Sequence, residues 1–380
     1  MFGRLKEKFE LTRGGSAHNV RPMEGLRGFA VLLVFLVHYV ALIQPWIAQD
    51  AALLAFAEAL GTIGNSGVDL FFVLSGYLIY GSLVTRYQPL LSYFTRRIQR
   101  IYPAFTATFA VYTVLSLVFP AESKIPSDGG EGALYLLQNL LLLPGLLPIQ
   151  PMITVAWSLS FEMFYYLALP LLIAALKLRR RSSAWRVTSF LIIAVSFSIF
   201  TAIFGGPVRL IMFVSGILLF ETLNHSQWRV SGTAGLVALA VGLLGMLLPI
   251  AGPAGEALRI SILFVAFFVL CLACFRTPTA LLPLALSWAP LRWLGNMSYS
   301  YYLIHGLALQ AGFLAMSTLA PPTGAESALF WMLLPPMLAL TLVVSAPLYL
   351  LIERPFSLAP RRSRGAPKLP QAASASESGS

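Results

Sequence analysis

Arg21-Pro-Met-Glu-Gly-Leu-Arg-Gly-Phe-Ala-Val-Leu-Leu-Val-Phe-Leu-Val-His-Tyr39 is an apolar stretch that predicts a membrane-spanning helix carrying ionisable side chains. Glu24 and Arg27 lie near one end, and His38 lies deep in the apolar run. On an α-helix the spacing from Arg27 to His38 places both side chains on one face, about 16 Å apart along the axis. Because an ionisable side chain inside a membrane helix is costly, we treat each as a candidate functional residue.

The composition of the whole chain predicts an all-α, polytopic integral membrane protein. Of its 380 residues, 58% are hydrophobic and only 11% are charged, whereas a soluble domain averages about 45–50% apolar and about 25% charged. A span needs about 20 mostly apolar residues. Ten candidate spans lie near 26–43, 67–85, 101–119, 157–177, 187–204, 207–223, 232–251, 257–275, 294–318 and 328–352.

The basic residues predict the orientation of these spans. With the N-terminus inside, the inner segments hold every Lys and Arg of the chain except Lys124, Arg209 and Arg259. This asymmetry is the positive-inside pattern, and it explains the net charge of +11 without a nucleic-acid partner. We therefore expect both termini to be cytoplasmic, around a membrane domain at 21–356. The flanking segments are 1–20 and a polar tail, 357–380, that we expect to be disordered.

Two shorter apolar segments, 133–148 and 51–60, are too short to span and predict re-entrant or interfacial pieces. Cys271 and Cys274 have dithiol spacing, but they lie in an apolar run and predict buried, inert thiols. No metal-ligand set and no nucleotide-binding glycine loop is present in the sequence.

Three polar residues are predicted to lie toward the outer ends of their spans. His38 suits a general base, or a packing role as a neutral histidine. Glu162 lies about five residues into its span, at a depth that matches His38, and either orients that imidazole, accepts bonds from sugar hydroxyls or bonds to a neighbouring helix. Asp69 adds a third polar group at this level, or caps its helix, because Ser66-x-x-Asp69 has capping-box spacing.

Other polar residues are predicted at the inner side. Arg97 and Arg100 share a helical face, and with Arg27 they could bind a phosphate-bearing donor or anchor the protein on lipid headgroups. His305 either relays protons or packs, and Glu353 is expected to pair with a basic neighbour. This arrangement fits a proton-coupled transporter, a transmembrane group transferase, or a structural or sensory membrane protein.

From about Arg21 to Phe356 the chain resembles the membrane-bound acyltransferase family 3, which includes lipopolysaccharide O-acetylases, Nod-factor acetylases and macrolide acylases. Six motifs in order carry the resemblance: Arg27-x10-His38, Gly67-Val-Asp-Leu-Phe-Phe-Val-Leu-Ser-Gly-Tyr77, Arg97-x-x-Arg100, Trp157-Ser-Leu-Ser-x-Glu162, Ser298-Tyr-Ser-x-Tyr-x-x-His305 and Glu353-Arg-Pro-Phe356.

The resemblance implies transfer of an acyl group, commonly acetyl from cytoplasmic acetyl-CoA, to a hydroxyl of a carbohydrate or related acceptor. Arg27 and His38 match the family's essential pair, and Arg97 and Arg100 match its proposed donor-binding pair. Lipopolysaccharide, another polysaccharide, a lipid-linked glycan, peptidoglycan or a macrolide-like molecule is then an expected acceptor, and the bacterial cytoplasmic (inner) membrane is the expected location. Many family members carry a C-terminal esterase-like domain, so this chain is expected to work with a separate extracytoplasmic partner.

The expected site follows from these observations. We expect catalysis by His38, Arg27 and Glu162, with His38 as general base or as carrier of a covalent acyl group. Donor binding is expected from Arg27, Arg97 and Arg100, with no metal. Substrate or structural support is expected from five further residues: Glu24, Asp69, Ser75, Tyr165 and His305. The alternative is a proton-coupled transporter of a small solute.

Overall fold

The computed structural model describes residues 2–10 and 17–358, which form α-helices joined by short turns and contain no β-strand. Most of the predicted tail, 359–380, lies outside the described residues. The helices are α1 Phe2–Phe9, α2 Ala17–Ile47, α3 Ala51–Gly64, α4 Ser66–Val84, α5 Leu90–Val118, α6 Gly129–Leu140, α7 Trp157–Ala175, α8 Ser183–Phe204, α9 Ile211–His225, α10 Gly232–Gly245, α11 Gly252–Arg276, α12 Leu281–Leu286, α13 Ala289–Asn296, α14 Ser298–Leu319 and α15 Ser327–Leu348, which continues as a wider π-helical segment, Tyr349–Leu358.

Nine helical segments within the described residues are long and apolar enough to cross a membrane, which confirms an all-α polytopic fold. The remaining predicted span, 232–251, contains the shorter helix α10 of 14 residues. At 1.5 Å per residue it is about 21 Å long, less than the roughly 30 Å of a hydrocarbon core. It packs closely on α11, where a Cβ added at Gly242 would lie 2.6 Å from the Ala266 Cβ. The orientation of the spans stays a prediction.

The helical segment that follows α2 is one candidate span of 34 residues, Ala51–Val84, formed by α3 and α4 with a break between them. Three glycine contacts set its register against α2: Gly61 lies on Val40, Gly64 on Leu33 and Gly67 on Ala30. This segment therefore runs antiparallel to α2. The segment 51–60, predicted as a separate re-entrant or interfacial piece, is instead the first part of this span.

A second close contact explains the glycines of the opening motif. Helices α12 and α13 pack tightly on α2: a Cβ at Gly25 would lie 1.6 Å from the carbonyl oxygen of Leu286, the last residue of α12, and a Cβ at Gly28 would lie 2.0 Å from that of Leu291 in α13. Glu24 is buried beside this crossing and accepts a 3.0 Å hydrogen bond from Arg292 Nε. The motif thus fixes the N-terminal half of α2, which carries Arg27.

Candidate active site

Two cavities lie along the interior of the helix bundle. Their volumes are about 90 and about 210 Å³. The cavity at the predicted inner side is here called the arginine cavity; its polar lining residues are Arg27, Ser75, Arg100, Ser158, Glu162, Ser298, Tyr299 and Tyr302. The other is here called the histidine cavity; its polar lining residues are His38, Tyr112, Thr154, Tyr302 and Gln310.

The arginine cavity holds a cation that a buried carboxylate positions. Arg100 Nη1 lies 2.6 Å from Oε1 of Glu353, which is fully buried and confirms the expected pairing of Glu353 with a basic residue. The other carboxylate oxygen of Glu353 accepts from the Ser300 amide at 3.0 Å and the Ser300 hydroxyl at 2.6 Å. The Arg100 guanidinium also lies over the Tyr299 ring, 5.4 Å from its centroid. A guanidinium has five N–H donors, so this pairing leaves others for a ligand.

Arg97 lies one turn before Arg100 on α5 and is absent from the lining of the arginine cavity. Its guanidinium lies near the Tyr93 and Tyr166 rings, 5.3 and 5.1 Å from their centroids, and donates to Ser82 Oγ at 3.1 Å. The two arginines of the motif therefore have different surroundings.

Glu162 lies in the arginine cavity, which corrects the expectation that it matches His38 in depth. Its carboxylate accepts from the Tyr166 hydroxyl at 2.5 Å and from Ser75 Oγ at 3.4 Å. The reason is that α7 begins inside the bundle, where the Trp157 ring packs against the Phe72 ring of α4 at 6.3 Å. Counting residues from Trp157 as if it lay at the membrane surface therefore places Glu162 too far outward.

His38 lies beside His305 in the structure. Their ring centroids are 4.9 Å apart, in an edge-to-face arrangement. His38 is partly buried and lines the histidine cavity, whereas His305 is fully buried behind it. His38 also lies nine residues before the end of α2, about 14 Å along the axis, which is deeper in its helix than its predicted position toward the end of the span.

The hydrogen bonds of His305 determine which ring nitrogen carries its proton. Nδ1 lies 2.9 Å from the carbonyl oxygen of Tyr301 and 3.0 Å from that of Tyr302. Because a carbonyl oxygen only accepts, Nδ1 is the donor, and Nε2 of the neutral ring is then an acceptor. Nε2 is buried and has no hydrogen-bond partner among the described residues. His305 thus offers a fixed lone pair next to His38.

Tyr302 separates the two cavities, and it is the one residue of the described ranges that lines both. Its hydroxyl lies 2.7 Å from Ser158 Oγ and donates to the Val155 carbonyl oxygen at 3.2 Å. Reasoning from sequence did not single out Tyr302. Its only signal was its place in the motif that ends at His305.

The rim of the histidine cavity carries a cation. Lys124 donates to the Pro151 carbonyl oxygen at 3.1 Å and to Thr154 Oγ1 at 3.4 Å. Burial lowers the pKa of the Lys124 ammonium below its usual range. Thr154, Tyr112 and Gln310 give this cavity hydroxyl and amide groups that suit a polyhydroxylated ligand.

Asp69 lies in neither cavity. It is fully buried in α4 and pairs with Arg209. The expected capping box is not formed, since the Ser66 hydroxyl donates to the Ile63 carbonyl oxygen at 2.6 Å. Because α4 continues the broken span inward, Asp69 lies nearer the level of Ala30 than that of His38, which corrects its predicted outer position.

The other predicted support residues also have structural partners. The Tyr165 hydroxyl donates to the Leu210 carbonyl oxygen at 2.8 Å, and its ring stacks on Phe213 at 4.0 Å.

Cys271 and Cys274 are free and fully buried, as expected. Within residues 2–10 and 17–358 no group of three or more His, Cys, Asp or Glu side chains is arranged to hold a metal ion.

Known proteins with similar sequences are acyltransferases by name. A family described as an acyltransferase domain matches residues 22–350. The acyltransferase MdmB of Streptomyces mycarofaciens is 28% identical over 88% of this chain and 90% of its own length. The O-acetyltransferase OatA of Staphylococcus aureus is 26% identical over 74% of this chain, and the peptidoglycan O-acetyltransferase OatA of Listeria monocytogenes is 27% identical over 75%. The matches span about half of each OatA, at 49%. No solved structure matches.

Proposed function

Because this chain belongs to acyltransferase family 3 and is a membrane O-acyltransferase, we propose that it moves an acyl group from acyl-CoA to a carbohydrate hydroxyl. The donor is acetyl-CoA, entering from the cytoplasm, and the acceptor belongs to a cell-envelope or exported glycan. The observation that carries the proposal is the pair of cavities that meet at Tyr302, one lined by arginines and the other by His38.

The arginine cavity binds the donor. Guanidinium groups make multidentate contacts with phosphates, and Arg27 and Arg100 line this cavity. Arg97 lies one turn nearer the cytoplasm and contacts the part of CoA that stays outside. Glu162 and Ser75 lie further in, where a carboxylate can accept from the amide N–H groups of the pantetheine arm.

The histidine cavity binds the acceptor and holds the base. His38 takes the proton of the acceptor hydroxyl as the oxygen attacks the thioester carbon, and the C–S bond then breaks to release CoA. The unpartnered Nε2 of His305 lies beside the His38 ring, and a small turn of that ring would let its N–H donate to Nε2 and so hold the imidazole for this task. General-base catalysis supplies about 10²–10⁴-fold, so positioning of the substrates contributes as well.

The acceptor class follows from the rim of the cavity and from relatives. Hydroxyl, amide and ammonium groups surround the opening, and one relative is named a peptidoglycan O-acetyltransferase. An envelope glycan on the outer face of the bacterial cytoplasmic membrane would offer hydroxyl groups to these side chains and belongs to the class named for that relative. A separate extracytoplasmic protein can present it.

The experiment uses the full chain in lipid nanodiscs with acetyl-CoA. N-acetylglucosamine oligosaccharides, soluble peptidoglycan fragments and a macrolide are supplied as acceptors, and release of CoA is measured. We expect release with at least one acceptor, its loss in His38→Ala, and its retention in His225→Ala, a partly exposed histidine that lines neither cavity. No release with any acceptor, or normal release in His38→Ala, contradicts the proposal.

A further inference from the structure

The wall between the cavities consists of a small hydroxyl cluster. Tyr302 Oη and Ser158 Oγ lie 2.7 Å apart, and both lie within hydrogen-bond distance of one acceptor, the Val155 carbonyl oxygen, at 3.2 and 3.0 Å. Ser158 lines the arginine cavity, Val155 lines the histidine cavity, and Tyr302 lines both. The two substrates of the proposed reaction therefore approach this wall from opposite sides.

The chemistry requires the substrates to meet at this wall. A hydroxyl oxygen and the carbon it attacks must come within about 3–3.5 Å of each other. With the donor on the arginine side and the acceptor beside His38, the thioester carbonyl must reach Tyr302. The Tyr302 hydroxyl can serve as a hydrogen-bond donor there, and it belongs to the same helix as His305.

The bonding pattern allows this hydroxyl to change partner at low cost. When Tyr302 turns away from the Val155 carbonyl oxygen, Ser158 still donates to that oxygen. The buried carbonyl is then not left unsatisfied, which would otherwise cost about 1–3 kcal/mol.

We propose that the Tyr302 hydroxyl donates a hydrogen bond to the thioester carbonyl oxygen and stabilises the oxyanion that forms there, a role that rests on the proposed function. As the acceptor oxygen bonds to the carbonyl carbon, its proton passes to His38 and the carbonyl electron pair moves to oxygen. Tyr302 holds that oxyanion and keeps its own proton. The C=O bond then re-forms, the C–S bond breaks, and the CoA sulfur leaves with the proton from His38.

The first test is Tyr302→Phe, which keeps the ring of the wall and removes only the hydroxyl. Loss of one oxyanion donor lowers kcat by about 10²–10³-fold, and we expect that loss with unchanged KM for acetyl-CoA. Tyr165→Phe is the matched control, because it also loses one bond from a tyrosine to a helix carbonyl but lines neither cavity. Equal kcat in the two variants would overturn the inference.

The second test does not depend on the stability of the phenylalanine variant. Fluorotyrosines of graded acidity replace Tyr302, since a more acidic phenol is a stronger donor with nearly the same shape. We expect log kcat to change steadily with phenol acidity, whereas a purely structural wall gives no such trend. A kcat that does not vary with phenol acidity would overturn this inference. If the wild type still transfers acetyl and His38→Ala does not, the proposed function stays intact.

Discussion

The imidazole rings of His38 and His305 lie 4.9 Å apart, and the buried Nε2 of His305 has no partner among the described residues. Since Nδ1 of His305 is held by two backbone carbonyls, its tautomer is fixed independently of substrate. The pair thus contains one ring that lines the cavity and one that is buried against it. Glu162, predicted for the positioning role, lies in the other cavity.

His305→Asn tests this relationship. An asparagine amide can still donate to the carbonyls of Tyr301 and Tyr302, but it does not reproduce the Nε2 lone pair beside His38. We expect kcat to fall by about 10²-fold or more, with little change in acceptor KM, in a CoA-release assay. Unchanged kcat with normal expression would mean that His305 contributes to packing and not to the reaction.

Arg100→Ala and Arg97→Ala separate the two arginines of the motif. Arg100 lines the arginine cavity and Arg97 does not, so we expect the KM for acetyl-CoA to rise more in Arg100→Ala. Arg96→Ala is the control, because Arg96 is an exposed arginine on the same helix. Equal donor KM in Arg100→Ala and Arg96→Ala would contradict the donor site.

Gly25→Ala tests the packing of α2 against the end of α12. The added methyl group would meet the Leu286 carbonyl oxygen at 1.6 Å, and overpacking of this kind costs roughly 1–3 kcal/mol or more. We expect a lower melting temperature in detergent, measured against Gly129→Ala, where nothing lies within 4 Å of the added Cβ. Equal stability of the two variants would show that α12 does not pack on α2 as described.

Much of the fold could be predicted because hydropathy marks spans directly, and nine of them are confirmed. The depth of each polar side chain within the helix bundle was harder to predict. The stretch 51–60 is too short to span alone, so its continuation into α4 was missed, and Asp69 was placed at the level of His38. The His38–His305 pair and the Tyr302 wall depend on contacts between distant helices, which no local pattern in one sequence reports.

Asp69→Asn tests whether this buried carboxylate is structural. It weakens the pair with Arg209, so we expect a loss of stability of about 1–3 kcal/mol. The kcat of the folded fraction should stay near the wild-type value, because Asp69 lines neither cavity. A fall in kcat without loss of thermal stability would give Asp69 a direct role in the reaction.

Cysteine labelling tests the predicted orientation and the short helix α10. Gln227 and Ala251 flank α10, and the native Cys271 and Cys274 are fully buried, so background labelling should be low. If α10 crosses the membrane, an impermeant thiol reagent reaches Gln227→Cys only from the cytoplasmic side and Ala251→Cys only from the outer side. Labelling of both from one side would mean that α10 does not cross.

The most direct test of the central claim is a sidedness measurement in proteoliposomes of defined orientation. Radiolabelled acetyl-CoA is supplied on the side of Arg100 and a glycan acceptor on the side of the Lys124 rim, and label on the acceptor is measured. We predict acetylated acceptor across the membrane with the wild-type protein and none with His38→Ala. Transfer only when both substrates are on the same side, or undiminished transfer in His38→Ala, would contradict the account.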